Sequence, residues 1–225
     1  SKLGQIKRKC HEESNGNATE SRLCVIQNEF KDGFELMKKH PKSVTIFGSA
    51  RLAEDNIHSL NATAVAKALA EKGYSITTGG GHGIMGAAHK GSSLGGGKSI
   101  GFNIELPFEQ TMNEYIDDYV DFHHFFSRKV ILAYSAEAYI YFAGGFGTLD
   151  ELFEILTLKQ TKKIPNIPII LFGSEFWKPL EEYFKNVFLG ENKTISAEDL
   201  NLYVITDDVN EVVKIVTESP VRIDA

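Results

Sequence analysis

Residues 138–154 read AYIYFAGGFGTLDELFE. A continuous apolar run, Ala138 to Phe142, ends at two glycines, and a helical pattern opens after them. An apolar run without polar alternation fits a strand covered on both faces, as in a parallel sheet. A glycine turn leading from such a strand into a helix presents backbone N–H groups at the helix mouth, where an anion binds well. The next residues are Asp150, Glu151 and Glu154, whose charge opposes an anion. Either these acids face away and only serve the helix, or one of them acts on what the turn holds.

The same strand–turn–helix grammar extends outward from this stretch. SVTIFG at 43–48 reads as a buried strand, followed by a helix over 57–72 stopped by Gly73. YSITTG is a second strand, then a glycine turn, a helix near 84–94, and a third strand SIGFNIEL. YVDFHHF is a short fourth strand and SRKVILAYSA a helix. After AYIYFAG come a helix over 148–162, strand IPIILFG, a helix over 175–188, strand YVITDD and a helix over 209–217. Strands alternating with helices predict an α/β fold, a doubly wound Rossmann-like parallel sheet with helices on both faces. Residues 41–225 form that Rossmann-like domain. Before it, residues 22–40 carry Leu23, Ile26, Phe30, Phe34 and Met37 at three- and four-residue steps, an amphipathic helix. Residues 1–21 show no apolar period and read as a flexible arm.

Composition narrows the function classes. The 225 residues are 42% hydrophobic with a net charge of −6. Such an acidic balance argues against nucleic-acid binding, which needs a basic surface. No apolar run reaches the roughly 20 residues of a membrane helix, so no membrane partner is expected. Cys10 and Cys24 form no CxxC pattern and are read as reduced thiols in a cytoplasmic protein.

In an open parallel sheet, ligands gather at the carboxyl ends of the strands. Three glycine-bearing turns leave such ends here: GSAR at 48–51, GGGHGIMG at 79–86 and AGGFGT at 143–148. The second contains Gly81-x-Gly83-x-x-Gly86, formally a dinucleotide fingerprint, with Glu105 available as its ribose acid. That reading leaves the third turn without a purpose. A phosphorylated ligand lying across all three accounts for them together. Thr148 is then a helix cap and phosphate donor, and the helix dipole accounts for Asp150, leaving Glu151 unexplained.

The stretch Gly144-Gly145-Phe146-Gly147-Thr148-Leu149-Asp150-Glu151 resembles the PGGxGTxxE signature of the Lonely Guy (LOG) family of cytokinin-nucleotide phosphoribohydrolases, often labelled lysine decarboxylases. Arg128-Lys129 resembles the family's Arg-Lys pair, and GGGHGIMGAAHKG its upstream glycine loop. The similarity runs over roughly residues 41–190. It departs at the signature's proline, which is Ala143 here, and in the 40 residues before the domain. The resemblance implies hydrolysis of a nucleoside 5'-monophosphate, AMP or an N6-modified relative, to base and ribose 5-phosphate. It implies a homodimer or larger homo-oligomer with active sites near the interface. Glu151 and Arg128 are the expected catalytic residues; Ser49, Gly79, Gly80, Gly81, Met85, Lys129, Gly144, Gly145, Gly147 and Thr148 the substrate-binding ones.

No cofactor and no metal are expected. Lys98, Lys129 and Lys159 read as helix-face or strand-start residues rather than Schiff-base lysines. His123 and His124, adjacent on a strand, point to opposite faces and read as structural. Asp117, Asp118 and Asp121 read as a solvated edge. The alternative is a non-catalytic nucleotide or molybdenum-cofactor carrier, a class that shares this sheet with the DNA-processing protein A.

Overall fold

A computed structural model describes residues 1–106 and 111–219. Its sheet has seven parallel strands in the order β4-β3-β2-β1-β5-β6-β7. These are β1 (Ser43–Phe47), β2 (Ser75–Thr78), β3 (Ser99–Ile104), β4 (Asp118–Phe122), β5 (Tyr139–Tyr141), β6 (Ile169–Phe172) and β7 (Val204–Thr206). The chain winds outward from β1 to one edge, then returns to pair β5 against the other side of β1. Strand order therefore reverses between β1 and β5, where doubly wound sheets bind ligands.

Side-chain alternation fixes both faces. Tyr139 and Tyr141 point into one core with Leu171 and Trp177. Ile140 and Phe142 point into the other with Ile170 and Val212. On the second face lie α3 (Ile57–Ala70), α4 (Ile84–Leu94) and α8 (Val209–Glu218). On the first lie α2 (Ala18–Lys39), α5 (Phe125–Tyr134), α6 (Phe146–Gln160) and α7 (Ser174–Tyr183). The aromatic stripe of α7 is packing: Trp177 is fully buried and donates its indole N–H to the Tyr141 and Phe172 carbonyls. A π-helical segment, Phe184–Glu191, continues α7.

Three expectations are corrected. Residues 1–21 are not an arm: α1 (Lys2–Glu13) packs on α2, with Leu3 and Cys10 buried. Cys10 and Cys24 are not thiols; they form a disulfide that joins α1 to α2. The cytoplasmic reading thereby loses one support, since disulfides are rare in reducing compartments. No helix among the described residues is long and apolar enough to cross a membrane. The three aspartates do lie at the sheet's open edge, β4, and are paired there: Asp117 accepts from Lys98 and the Ser99 amide, Asp118 contacts His40, and Asp121 accepts from Asn103. Finally, His123 and His124 lie beyond β4, in the turn before α5 rather than on the strand.

Candidate active site

The turns after β1, β2 and β5 are laced together by their own backbones. The Ser49 amide donates to the Ala143 carbonyl, and the Ile84 amide to the Ser49 carbonyl. A proline at 143 would leave that carbonyl available, so alanine in its place keeps the contact. Asn113 donates to the Gly80 and Gly81 carbonyls, fixing the second turn from outside. A cavity of about 650 Å³ opens where the three turns meet.

Helix α6 starts at Phe146, two residues before Thr148, and Gly145 caps it without a side-chain bond. Thr148 is thus inside the first turn and does not cap it. The N–H groups at the start of an α-helix have no intrahelical acceptor, and here that helix start lines the cavity. A Cβ on Gly145 or Gly147 would meet nothing within 4 Å. Protein packing does not require glycine at either place, so the open space is on the ligand side. Gly144 differs, since a Cβ there would lie 2.1 Å from the Thr148 hydroxyl. It permits the turn to close and does not line the cavity.

Arg128 reaches the cavity from α5. Its Nε–H donates to the Phe102 carbonyl at 2.7 Å. Its guanidinium lies across Gly79, where a Cβ would come within 2.3 Å of Nη2 and 3.0 Å of the Met85 sulfur. Gly79 is therefore the gap through which Arg128 and Met85 meet the site. Ser49 also lines the cavity, its hydroxyl accepting from the Arg51 amide.

Glu151 is 8% exposed and lines the same cavity. Burial pushes its carboxyl up to about 7, against the opposing pull of Arg128 and Lys129. Burial also lowers the Arg128 guanidinium, with Glu151 acting the other way. Arginine still stays charged. The two do not close into a direct ion pair. A base and a cation held apart across a cavity leave room for a reacting group between them.

The remaining expected residues fall elsewhere. Lys129 turns to α6, 2.9 Å from Asp150 and 3.3 Å from Glu154. Gly80 and Gly81 face a neighbouring cleft of about 230 Å³, and the Gly80 amide donates to Thr78. Glu105 lines that cleft as well, bound to Lys7 and to His123. Among the residues passed over in the sequence that line the main cavity are Phe125 and Phe146, the latter 92% exposed. Their signal was an aromatic beside each motif with no buried partner to expect.

The family described as "Possible lysine decarboxylase" matches residues 85–216, more than half of the chain. A cytokinin riboside 5'-monophosphate phosphoribohydrolase of Rhodococcoides fascians is 27% identical over 150 residues, 65% of this chain and 75% of that protein. A probable enzyme of the same name from Oryza sativa subsp. japonica is 29% identical over 183 residues, 79% of this chain and 77% of its own. Among solved structures, the molybdenum cofactor carrier protein of Chlamydomonas reinhardtii aligns with a TM-score of 0.59 at 24% identity, covering 79% of this chain and 96% of that one. That last likeness is one of fold. The match over residues 85–216, with the glycine turn and Glu151 at its centre, makes this chain a member of the possible lysine decarboxylase family, the family of the LOG proteins.

Proposed function

We propose that the protein hydrolyses the N-glycosidic bond of a nucleoside 5'-monophosphate, AMP or an N6-modified relative, to the free base and ribose 5-phosphate. The observation that carries the reading is the position of Glu151. It is a buried carboxyl on the helix whose open N-terminus lines the same cavity. The 5'-phosphate sits at the Gly145–Thr148 helix mouth, where orphan N–H groups and the helix dipole favour it. The ribose then lies toward Glu151. As the C1'–N bond breaks, its electron pair leaves with the base and positive charge grows at C1'. Glu151 meets that charge and takes a proton from the water that adds to C1', while the departing base nitrogen takes up a proton from solvent; Glu151 then returns its proton to solvent. Arg128 binds the nucleotide and assists the departing base.

As part of the same reading, chains pair as a homodimer, with exposed Phe125 and Phe146 as apolar surface for a second copy to cover. The decarboxylase in the family's description does not suit these lysines. Pyridoxal enzymes hold their cofactor on a Schiff-base lysine. Lys98 binds Asp117, Lys129 binds Asp150 and Glu154, and Lys159 donates to the Ile167 and Leu202 carbonyls.

Chromatography of purified protein with AMP and N6-substituted AMP tests the reading. Base and ribose 5-phosphate appear in equal amounts, and Glu151→Gln or Arg128→Ala lowers release by about 100-fold or more. Undiminished release by both variants removes the residue assignment. Tight binding of monophosphates without turnover favours a carrier.

A further inference from the structure

We infer that Glu29, on the helix that precedes the Rossmann-like domain, is a positioning residue for Arg128; the catalytic meaning of this rests on the function proposed above. Glu29 is 2% exposed, so its carboxylate is out of water and must find its donors inside the protein. It finds them all in one turn. Its Oε1 accepts from the backbone amides of His123 at 2.5 Å and His124 at 3.2 Å. Its Oε2 accepts from the Ser127 hydroxyl at 2.6 Å and lies 3.0 Å from His124 Nδ1. An ionised carboxylate only accepts, so that ring nitrogen carries the proton.

Helix α5 supplies no side-chain cap of its own. The Glu29 carboxylate instead ties down the two residues that lead into α5 and the Ser127 hydroxyl in its first turn, at the end where the dipole of α5 favours negative charge. One turn further along both helices, α2 meets α5 closely enough that a Cβ on Gly33 would lie 2.6 Å from Ile131 Cγ1. Glu29–Ser127 and Gly33–Ile131 are thus successive points of one helix–helix seam. The seam sets the height of α5, and the residue directly after Ser127 is Arg128. From that root Arg128 has to place Nε on the Phe102 carbonyl and Nη2 across Gly79. A shift at the start of α5 passes straight into the guanidinium. Both ends of the seam on α2 lie outside the residues matched to the family, 85–216.

The test reads Arg128 directly. In uniformly 15N-labelled full-length protein, the Arg128 Nε–H signal reports its bond to Phe102 through its solvent exchange. Glu29→Gln keeps the volume but offers one acceptor oxygen where the carboxylate offers two. Its Arg128 Nε–H exchange rises about tenfold or more, the size of losing one charge-assisted bond. With AMP as substrate, kcat falls about tenfold or more, with KM changed less, as displacement of a reacting group requires. AMP affinity measured by calorimetry drops in Glu29→Gln, yet adding that change to Arg128→Ala costs less than about twofold further, because both act through one group. Unaltered Arg128 exchange in a folded Glu29→Gln protein overturns the inference. So does an equal loss of affinity with and without Arg128. If Glu29→Gln does not fold, Ser127→Ala, which removes one donor of the four, is held to the same criteria. A wild-type protein that does not release base sinks the proposed hydrolysis, while the Nε–H exchange still decides the role of Glu29.

Discussion

Asp150, Glu151 and Glu154 lie within about one helical turn yet meet different surroundings, because successive helix residues are rotated by about 100°. Asp150 and Glu154 face Lys129, which is drawn between them. Burial alone would lower the Lys129 ammonium, but its hydrogen bonds to the two acids outweigh burial and raise it. Glu151 faces the cavity, where burial holds its carboxyl near 7. The acids therefore oppose an anion at the helix mouth less than their number suggests: Lys129 offsets one of the two charges that face it, and Glu151 is only half-ionised near neutral pH. This has a kinetic consequence. If the carboxylate form carries the proposed reaction, kcat/KM for AMP rises through pH 6–8 with an apparent pKa of about 7. The corresponding limb in kcat lies at higher pH, since a bound phosphate dianion disfavours a second negative charge nearby. A kcat/KM that is flat across pH 6–8 would contradict this use of Glu151. The motif singles out Glu151 but says nothing of how its neighbours are paired. Lys129 is read as a substrate ligand from its place in the motif, and its ion pairs with Asp150 and Glu154 turn it away.

At the scale of elements, the strands and the helix Ile84–Leu94 were legible because fully buried strands are written as continuous apolar runs and glycines punctuate the turns. The start of α6 was less so, since Phe146 and Gly147 are weak helix formers that nonetheless begin the helix. Helix α1 was missed for a plainer reason. Its buried contacts are Leu3 and Cys10 amid charged residues, a stripe too thin to stand out as a period. What fixes it is covalent: the disulfide Cys10–Cys24 spans a separation of 14 residues. Closing a loop of that size is worth about 3 kcal/mol by chain entropy. Reduction with dithiothreitol accordingly speeds amide exchange in residues 2–13 by roughly 100-fold, while amides of β1 and β5 keep their protection. Hydrogen-exchange mass spectrometry measures this. Unchanged exchange in α1, or an equal change throughout the sheet, would show that the bond does not govern the hairpin locally.

Across the whole molecule, two buried groups pull stability in opposite directions with pH. His89 is fully buried among Thr78, the Ile100 carbonyl and Asn113, and so braces the turn that holds Gly79 to Gly81. Burial lowers its imidazole to about 4. Between about 4 and its ordinary 6.5 the unfolded chain binds that proton and the folded one does not, so acidification through this window costs about 3 kcal/mol. Glu151 does the reverse. Its folded carboxyl, near 7, holds a proton that the unfolded chain has released above 4.5, so stability falls as pH rises through that window. Between about 4.5 and 6.5 the two slopes oppose each other and nearly cancel. Glu151→Gln removes one of them. At pH 4 the glutamine is close to isosteric with the protonated acid, and the variant unfolds at nearly the wild-type denaturant midpoint. At pH 8 the wild type carries a buried charge that the variant lacks, and Glu151→Gln is the more stable by about 3 kcal/mol. The same variant loses stability steadily from pH 6.5 toward 4, the His89 slope no longer offset. Urea titrations of both proteins at pH 4, 6 and 8 measure these differences. A stability gap that does not grow with pH would mean that Glu151 is ionised at no cost, and that the cavity does not hold its carboxyl near neutrality.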